Sequence, residues 1–211
     1  MEATNIYVVR HGETEWNIQG RLQGHLDSLL TPRGQQQAQA LAERLARISF
    51  TALYSSDLGR ALTTAETIGE QVELPVQTDS RLRERNLGVL QGLTRDESRQ
   101  QFPDVWEQLT SGDPNYAVPE GESARQRTDR SVAFLEAVAR AHPGKTLLII
   151  AHGGVLSGLF YQSLGLPLNE PRRFSIPNAA VNLFSINGSG WRLETWGDTA
   201  HLEYLGALDE L

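Results

Sequence analysis

Two short apolar segments that each end in His-Gly constrain the fold of this chain most. Residues 5–9 lead into Arg10-His11-Gly12, and residues 146–151 lead into His152-Gly153-Gly154. Apolar, β-rich runs of this length bounded by glycine predict buried strands. If the two strands are neighbours in one parallel sheet, His11 and His152 lie side by side at its carboxyl edge, where open α/β sheets bind ligands.

The rest of the chain alternates strand and helix patterns. One helix has clear start signals, with Thr31 as N-cap, Pro32 at its first position and apolar residues at helical spacing after it. We predict further strands at 52–55, 75–78, 180–186 and 191–196, and further helices at 57–72, 96–102, 123–141 and 155–164. This alternation predicts an α/β fold, a three-layer sandwich whose mostly parallel central sheet is flanked by helices.

Length and composition limit the classes of protein that fit. The 211 residues suit a single domain over 1–211, with a cap-like insertion near 93–121. A net charge of −7 argues against nucleic-acid partners, and no apolar run approaches the roughly 18 residues of a membrane span. The chain has no cysteine, which excludes disulfides, and residues 1–4 do not resemble a signal peptide. We therefore expect a cytoplasmic protein.

The residues at the two strand ends suit an oxyanion. Arginine pairs bidentately with phosphate, glycine lets the backbone approach a ligand, and the helix that follows His152 offers N-terminal amides. Arg60 lies in the first turn of the helix after strand 52–55, and Glu84 stands among three arginines. Either residue also fits a plainer interpretation, as a solvated surface arginine or as a member of a surface ion-pair network.

Taken together, the motifs resemble a known family. The match runs from the first strand to residues 198–202, and its motifs occur in order: Arg10-His11-Gly12-Glu13-Thr14, Ser56-x-x-x-Arg60-Ala61 with Thr64-Ala65, Leu82-Arg83-Glu84, Gly121-Glu122-Ser123 and Ala151-His152-Gly153. Each motif alone is weak, but the ordered set resembles the histidine phosphatase superfamily, in its phosphoglycerate mutase-like branch and of the small phosphatase type.

The resemblance implies a role for each site residue. His11 resembles the nucleophile that becomes a phosphohistidine, and Glu84 resembles the acid that protonates the leaving oxygen. Arg10, Arg60 and His152 resemble the pocket for the phosphoryl oxygens, which Asn17 and Gly153 complete.

The chemistry of phosphoryl transfer is consistent with these roles. Phosphoryl transfer requires mainly that the protein position the reacting groups and place positive charge around the three phosphoryl oxygens. This scheme needs neither a metal nor a cofactor. The attacking nitrogen of His11 must be unprotonated, so its other ring nitrogen needs an acceptor such as a backbone carbonyl.

Departures from the mutase pattern favour a phosphatase over a phosphoglycerate mutase. The insertion is small and offers only Arg95 and Arg99. Mutases of this branch are longer, and their larger insertion carries paired arginines and a lysine that bind the carboxylate of phosphoglycerate. Leu87 stands where mutases commonly have tyrosine, and Gly154 stands where they tend to have asparagine. We predict a phosphoric monoester hydrolase of the histidine acid phosphatase type, with the mutase as the alternative.

The substrate and several residue roles stay open at this stage. Default substrates are small phosphorylated metabolites such as phosphoserine, phosphoglycerate or a sugar phosphate. The cap aromatics Phe102, Trp106 and Tyr116 line an entrance or, the simpler interpretation, pack the cap onto the body. Asn178 and His201 approach the site or are turn residues. A homodimer is possible.

Other classes fit less well. None of the five histidines has metal-ligand spacing, residues 143–146 lack the first glycine of a phosphate-binding loop, and no Gly-x-Gly-x-x-Gly turn follows the first strand. The remaining alternative is a catalytically silent module that binds a phosphate ligand. Its sign would be the loss of His11 or Glu84, and both are present.

Overall fold

A computed structural model describes residues 2–205, and the predicted domain over 1–211 therefore includes Met1 and residues 206–211, which lie outside the described part. One six-stranded sheet forms the centre, in the order β3-β2-β4-β1-β5-β6. β1 to β4 are parallel to one another, and β5 and β6 are antiparallel. The strands are β1 (Thr4–Arg10), β2 (Ala52–Ser55), β3 (Val76–Thr78), β4 (Thr146–Ala151), β5 (Val181–Asn187) and β6 (Gly190–Asp198).

Helices cover both faces of this sheet. They are α1 (Glu15–Ile18), α2 (Pro32–Leu45), α3 (Gly59–Val72), α4 (Arg95–Gln101), α5 (Pro103–Thr110), α6 (Ala124–Ala141) and α7 (Gly153–Leu164). Side chains alternate along β4, so Leu147 and Ile149 join the core formed with α6 and α7, whereas Leu148 and Ile150 join the core formed with α2 and α3. The predicted three-layer α/β sandwich is confirmed.

The order of the strands brings the two His-Gly segments together. β1 and β4 pair in parallel with Arg10 opposite Ala151, and the amide of His11 donates to the Ala151 carbonyl at 3.1 Å. Both strands therefore end at the same level of the sheet, and the two histidines follow as neighbours, as the sequence predicts.

The insertion differs from the prediction in one element. Besides α4, it contains a second helix, α5, which the sequence analysis did not predict and which has Pro103 at its first position. Every residue of α5 is at least partly exposed, so the apolar spacing that reveals buried helices is weak there.

A smaller difference concerns the start of α3. The helix begins at Gly59, where the Asp27 carboxylate accepts from the first two amides, and the Asp57 carboxylate pairs instead with the guanidinium of Arg83. Across residues 2–205, no helix combines the length and apolar character that a membrane crossing requires.

Candidate active site

His11 and His152 lie beside each other at the carboxyl edge of the sheet. Their ring centroids are 5.2 Å apart with an interplanar angle of 61°, and the two side chains are almost fully buried. The His11 ring borders a cavity of about 620 Å³, whereas the His152 ring lies behind that lining. Neither ring nitrogen of His152 has a hydrogen-bond partner among the described residues, so both remain available to a ligand.

The contacts of His11 fix its tautomer. Nδ1 lies 2.7 Å from the Gly12 carbonyl, which only accepts, so Nδ1 carries the proton and donates it. Nε2 is then unprotonated and accepts a hydrogen bond of 3.3 Å from Arg60 Nε. The ring thus carries its lone pair on Nε2, as an imidazole nucleophile requires.

Burial and neighbouring charges keep both imidazoles neutral. Burial lowers the pKa of His11 well below its ordinary value of 6.5, and the guanidinium groups of Arg60 and Arg10 lower it further. Burial also lowers the pKa of His152 well below 6.5, followed by the charge of Arg60. The site therefore combines two cations with two neutral rings, which suits a dianionic phosphate group.

Backbone carbonyls hold the two arginines in place. Arg10 Nη1 donates to the Ile176 carbonyl at 2.6 Å. Arg60 Nη2 and Nη1 donate to the carbonyls of Gly24 and Leu26, each at 2.8 Å, and Nη1 also donates to Asp27 Oδ1 at 2.8 Å. The same carboxylate accepts from the first amides of α3. Asp27 therefore orients Arg60, a role for which the sequence contained no signal.

Glu84 faces the cavity from the opposite side. Its Oε1 accepts from the Arg85 amide at 2.6 Å, and its Oε2 accepts from the Gly154 amide at 2.7 Å. Gly154 is the second residue of α7, so the N-terminus of that helix holds the carboxyl group. A side chain at Gly154 would overlap Glu84 Oε1, which explains why glycine suits this position.

Asn17 and Gln23 add amide groups to the cavity. Asn17 Oδ1 accepts from the Thr14 amide and hydroxyl, each at 3.0 Å, while its Nδ2 has no hydrogen-bond partner among the described residues. Gln23 Nε2 donates to Thr14 Oγ1 at 2.9 Å. The Asn17 amide nitrogen is thus a free donor at the cavity wall, and Gln23 is a lining residue that sequence reasoning missed.

Six of the seven predicted site residues line the cavity, and His152 lies immediately behind His11. The lining residues are Arg10, His11, Asn17, Gln19, Gly20, Arg21, Leu22, Gln23, Gly24, Arg60, Glu84, Leu87, Thr94, Arg95, Asp96 and Gly153. The insertion contributes Thr94, Arg95 and Asp96 at the start of α4. The cap aromatics Phe102, Trp106 and Tyr116 are not among these residues.

The structure also separates Asn178 from His201. Asn178 Nδ2 donates to the His11 carbonyl at 3.0 Å, so this residue holds the backbone of the nucleophile segment. His201 Nε2 donates to the Ala179 carbonyl at 3.1 Å, and its ring lies against Arg44, away from the cavity lining. Within residues 2–205, no group of three or more His, Cys, Asp or Glu side chains is arranged to hold a metal ion.

Comparisons with known proteins agree with this geometry. The chain is 40% identical to a "Probable phosphoglycerate mutase GpmB" of Escherichia coli O1:K1 / APEC, over 98% of each chain. Its structure is similar to that of Bacillus stearothermophilus YhfR, with a TM-score of 0.88, 35% identity and coverage of 95% of this chain and 100% of that one. It is also similar to a mycobacterial glucosyl-3-phosphoglycerate phosphatase, Rv2419c, in complex with VO3, with a TM-score of 0.83, 31% identity and coverage of 92% and 99%.

A sequence model of one family matches residues 6–199, which include every candidate site residue. The chain belongs to the histidine phosphatase superfamily, branch 1.

Proposed function

We propose that this protein is a metal-independent phosphatase that hydrolyses a small phosphomonoester through a phosphohistidine on His11. The observation that carries the proposal is the state of the His11 ring: Nδ1 is bound to the Gly12 carbonyl, and Nε2 is unprotonated beside Arg60. A buried, neutral imidazole between two guanidinium groups suits attack on a phosphate dianion, because the cations offset the charge of the phosphoryl oxygens.

The reaction has two steps. In the first, the Nε2 lone pair forms the bond to phosphorus, the ester P–O bond breaks, and Glu84 gives its proton to the leaving oxygen. In the second, the Glu84 carboxylate takes a proton from water, whose oxygen attacks phosphorus and releases His11. Throughout, Arg10, Arg60, His152, Asn17 and the Gly153 amide hold the phosphoryl oxygens.

Access of water supports a phosphatase over a mutase. Gln19, Gly20, Arg95 and Asp96 at the cavity rim are exposed, so solvent reaches the site. A mutase must keep water from its phosphohistidine while the intermediate reorients. The similarity to a glucosyl-3-phosphoglycerate phosphatase points in the same direction.

Phosphoglycerate mutase is the second candidate function. The 40% identity to a relative named as a probable phosphoglycerate mutase favours it. This activity predicts conversion of 3-phosphoglycerate to 2-phosphoglycerate after priming with the bisphosphate, whereas the phosphatase releases inorganic phosphate from either compound.

The shape of the cavity bears on the substrate. A volume of about 620 Å³ has room for more than a phosphate group, and charged or polar side chains form much of its wall. Small polar phosphomonoesters, such as phosphoserine, phosphoglycerate or a sugar phosphate, suit it better than apolar ones.

The test is hydrolysis of p-nitrophenyl phosphate in excess EDTA. We expect turnover that survives EDTA, and we expect His11→Ala to lower kcat by at least about a thousandfold, because no other group replaces the nucleophile. A rapid quench with labelled substrate should trap an acid-labile phosphoprotein in the wild type alone.

The matched control is His142→Gln, at the remote end of α6, where the ring contacts Tyr54. It should leave both activity and labelling unchanged. Loss of turnover in EDTA, full activity of His11→Ala, or no hydrolysis of any phosphomonoester would each overturn the proposal.

A further inference from the structure

Arg127 is a buried arginine behind the candidate acid, and the reaction described above does not use it. It lies in the first turn of α6, with 8% of its surface exposed. A side-chain carbon on Gly154 would lie 2.6 Å from Arg127 Nη1 and would also overlap Glu84 Oε1. The guanidinium and the carboxyl group of Glu84 therefore meet at the same glycine.

The polar contacts of Arg127 are few. Nη2 donates to Thr128 Oγ1 at 3.1 Å, and Nε has no hydrogen-bond partner among the described residues. Among those residues, no carboxylate oxygen forms an ion pair with it within 4 Å. Burial lowers the pKa of Arg127, and the charge of Glu84 is the largest opposing effect. A buried cation without a carboxylate partner costs free energy, and this cost suggests a compensating role for Arg127.

The neighbouring arginines have oxygen partners of their own. Arg130 binds Glu122 at 2.6 Å and also donates to the Glu84 carbonyl. Arg85 donates to the carbonyls of Glu122 and Tyr116. Glu122 is thus engaged by Arg130, which leaves the carboxyl group of Glu84 as the negative group that Arg127 faces.

We infer that Arg127 is a positioning residue that supports proton donation by Glu84. The inference rests on the proposed function. When Glu84 gives its proton to the leaving oxygen, a carboxylate forms in a partly buried place. The Arg127 guanidinium stabilises that carboxylate across Gly154, in a setting where charges act more strongly than in water. Arg127 is not among the residues that line the cavity, whereas Glu84 is, so Arg127 acts through Glu84.

Substrates with different leaving groups test this role. An alkyl oxygen needs protonation as it leaves, whereas p-nitrophenolate is stable without it. We expect Arg127→Met to lower kcat for β-glycerol phosphate by about ten- to a hundredfold, part of the 10²- to 10⁴-fold effect of a general acid. For p-nitrophenyl phosphate we expect less than about a threefold change in kcat, and for both substrates a nearly constant KM.

Four further variants complete the experiment. Arg127→Lys keeps the charge and should recover most of the alkyl phosphatase rate. Arg140→Met removes an exposed arginine from the same helix and should change neither rate. Glu84→Gln should show the same leaving-group pattern more strongly in kcat/KM, which reports the first step alone and not the later activation of water by Glu84. Adding Arg127→Met to it should have no further effect, because the two residues act as one unit.

The outcomes distinguish a failure of the role of Arg127 from a failure of the role of Glu84. Equal losses on both substrates, or a rise in KM with kcat unchanged, would overturn the role of Arg127 and leave the proposed phosphatase intact. If Glu84→Gln itself shows no leaving-group dependence, Glu84 is not the acid and both assignments fail. The p-nitrophenyl phosphate rate also reports, within each variant, that the protein is folded.

Discussion

At the scale of the residue, the site depends on how an imidazole is kept neutral among cations. His11 receives a hydrogen bond from Arg60 Nε and donates one to the Gly12 carbonyl. Burial lowers its pKa first, and the two guanidinium groups add to this effect. In the proposed mechanism, the arginines that hold the phosphate therefore also keep the His11 ring unprotonated, so the same side chains have two tasks.

This coupling predicts how the ring titrates. Because a lowered pKa keeps His11 neutral at mildly acidic pH, its imidazole signals should not shift between pH 7.5 and 5.5. Arg60→Gln removes the neighbouring charge that has the largest effect on the pKa of His11, so this pKa should move back toward 6.5. The ring should then protonate at a higher pH than in the wild type, and the acid limb of kcat/KM should move in the same direction.

The measurement is NMR of protein labelled with ¹⁵N-histidine, alongside the pH profile with p-nitrophenyl phosphate. Arg47→Gln, a change at an exposed arginine just beyond α2, is the control and should leave the His11 titration unchanged. A His11 ring that protonates near pH 6.5 in the wild type would contradict the electrostatic account.

At the scale of the element, the N-terminus of α7 holds the carboxyl group of Glu84. Its second amide binds Glu84 Oε2, and the same residue, Gly154, leaves space for Glu84 Oε1 and Arg127. The first turn of α7 thus follows His152, which lies next to His11, and also holds Glu84 across the cavity. The distance between Glu84 and His11 depends on this turn of the helix.

A methyl group at this turn should separate activity from stability. In Gly154→Ala the new carbon meets the ends of two flexible side chains, so Glu84 moves away at little cost to the backbone. Alanine also favours a helix over glycine by about 1 kcal/mol. We expect a free energy of unfolding within about 1 kcal/mol of the wild type and a roughly ten- to hundredfold lower kcat for alkyl phosphates.

Urea unfolding and the two-substrate assay measure these effects. Gln162→Ala, at an exposed position of α7, is the matched helix substitution and should keep full activity. A Gly154→Ala protein with wild-type activity on β-glycerol phosphate would show that the position of Glu84 does not limit the reaction.

The parts of the site differ in how far the sequence alone could predict them. The strand ends at His11 and His152 were predictable, because the residues shortly before each, Val8 and Val9 in β1 and residues 147–151 in β4, are buried and apolar. Arg127 was not, since which face of α6 meets Glu84 depends on how that helix packs against α7. Asp27 was missed for a similar reason: it lies in a loop whose path is set by contacts with α3.

At the scale of the whole molecule, the segment after β6 is tied to the nucleophile. His201 donates to the Ala179 carbonyl, the Ala179 amide donates to the Arg10 carbonyl at 3.0 Å, and Asn178 binds the His11 carbonyl. Ala179 adopts a left-handed conformation with φ of 56°, which turns the chain between these contacts. Arg44 binds both Asp198 and His201 and so joins α2 to this segment.

This arrangement predicts a loss of stability in acid that belongs to His201. Burial, followed by the charge of Arg44, lowers the pKa of His201 to about 4. As the pH falls below about 6.5, the unfolded chain binds a proton at this ring while the folded protein does not, so the free energy of unfolding decreases. The decrease continues until the pH reaches the folded pKa of about 4 and then levels off.

The size of this effect is measurable between pH 6.5 and 5. After allowance for solvent screening at a partly exposed ring, we expect His201 to account for about 1 kcal/mol of the decrease. His201→Gln should therefore lose about 1 kcal/mol less than the wild type across this interval in urea unfolding without phosphate. Buried His11 and His152 act in the same direction in both proteins, and the pKa of Asp198, about 2, lies below the interval. Equal slopes for the two proteins would mean that His201 accepts its proton in the folded state, with its contact to Arg44 already broken.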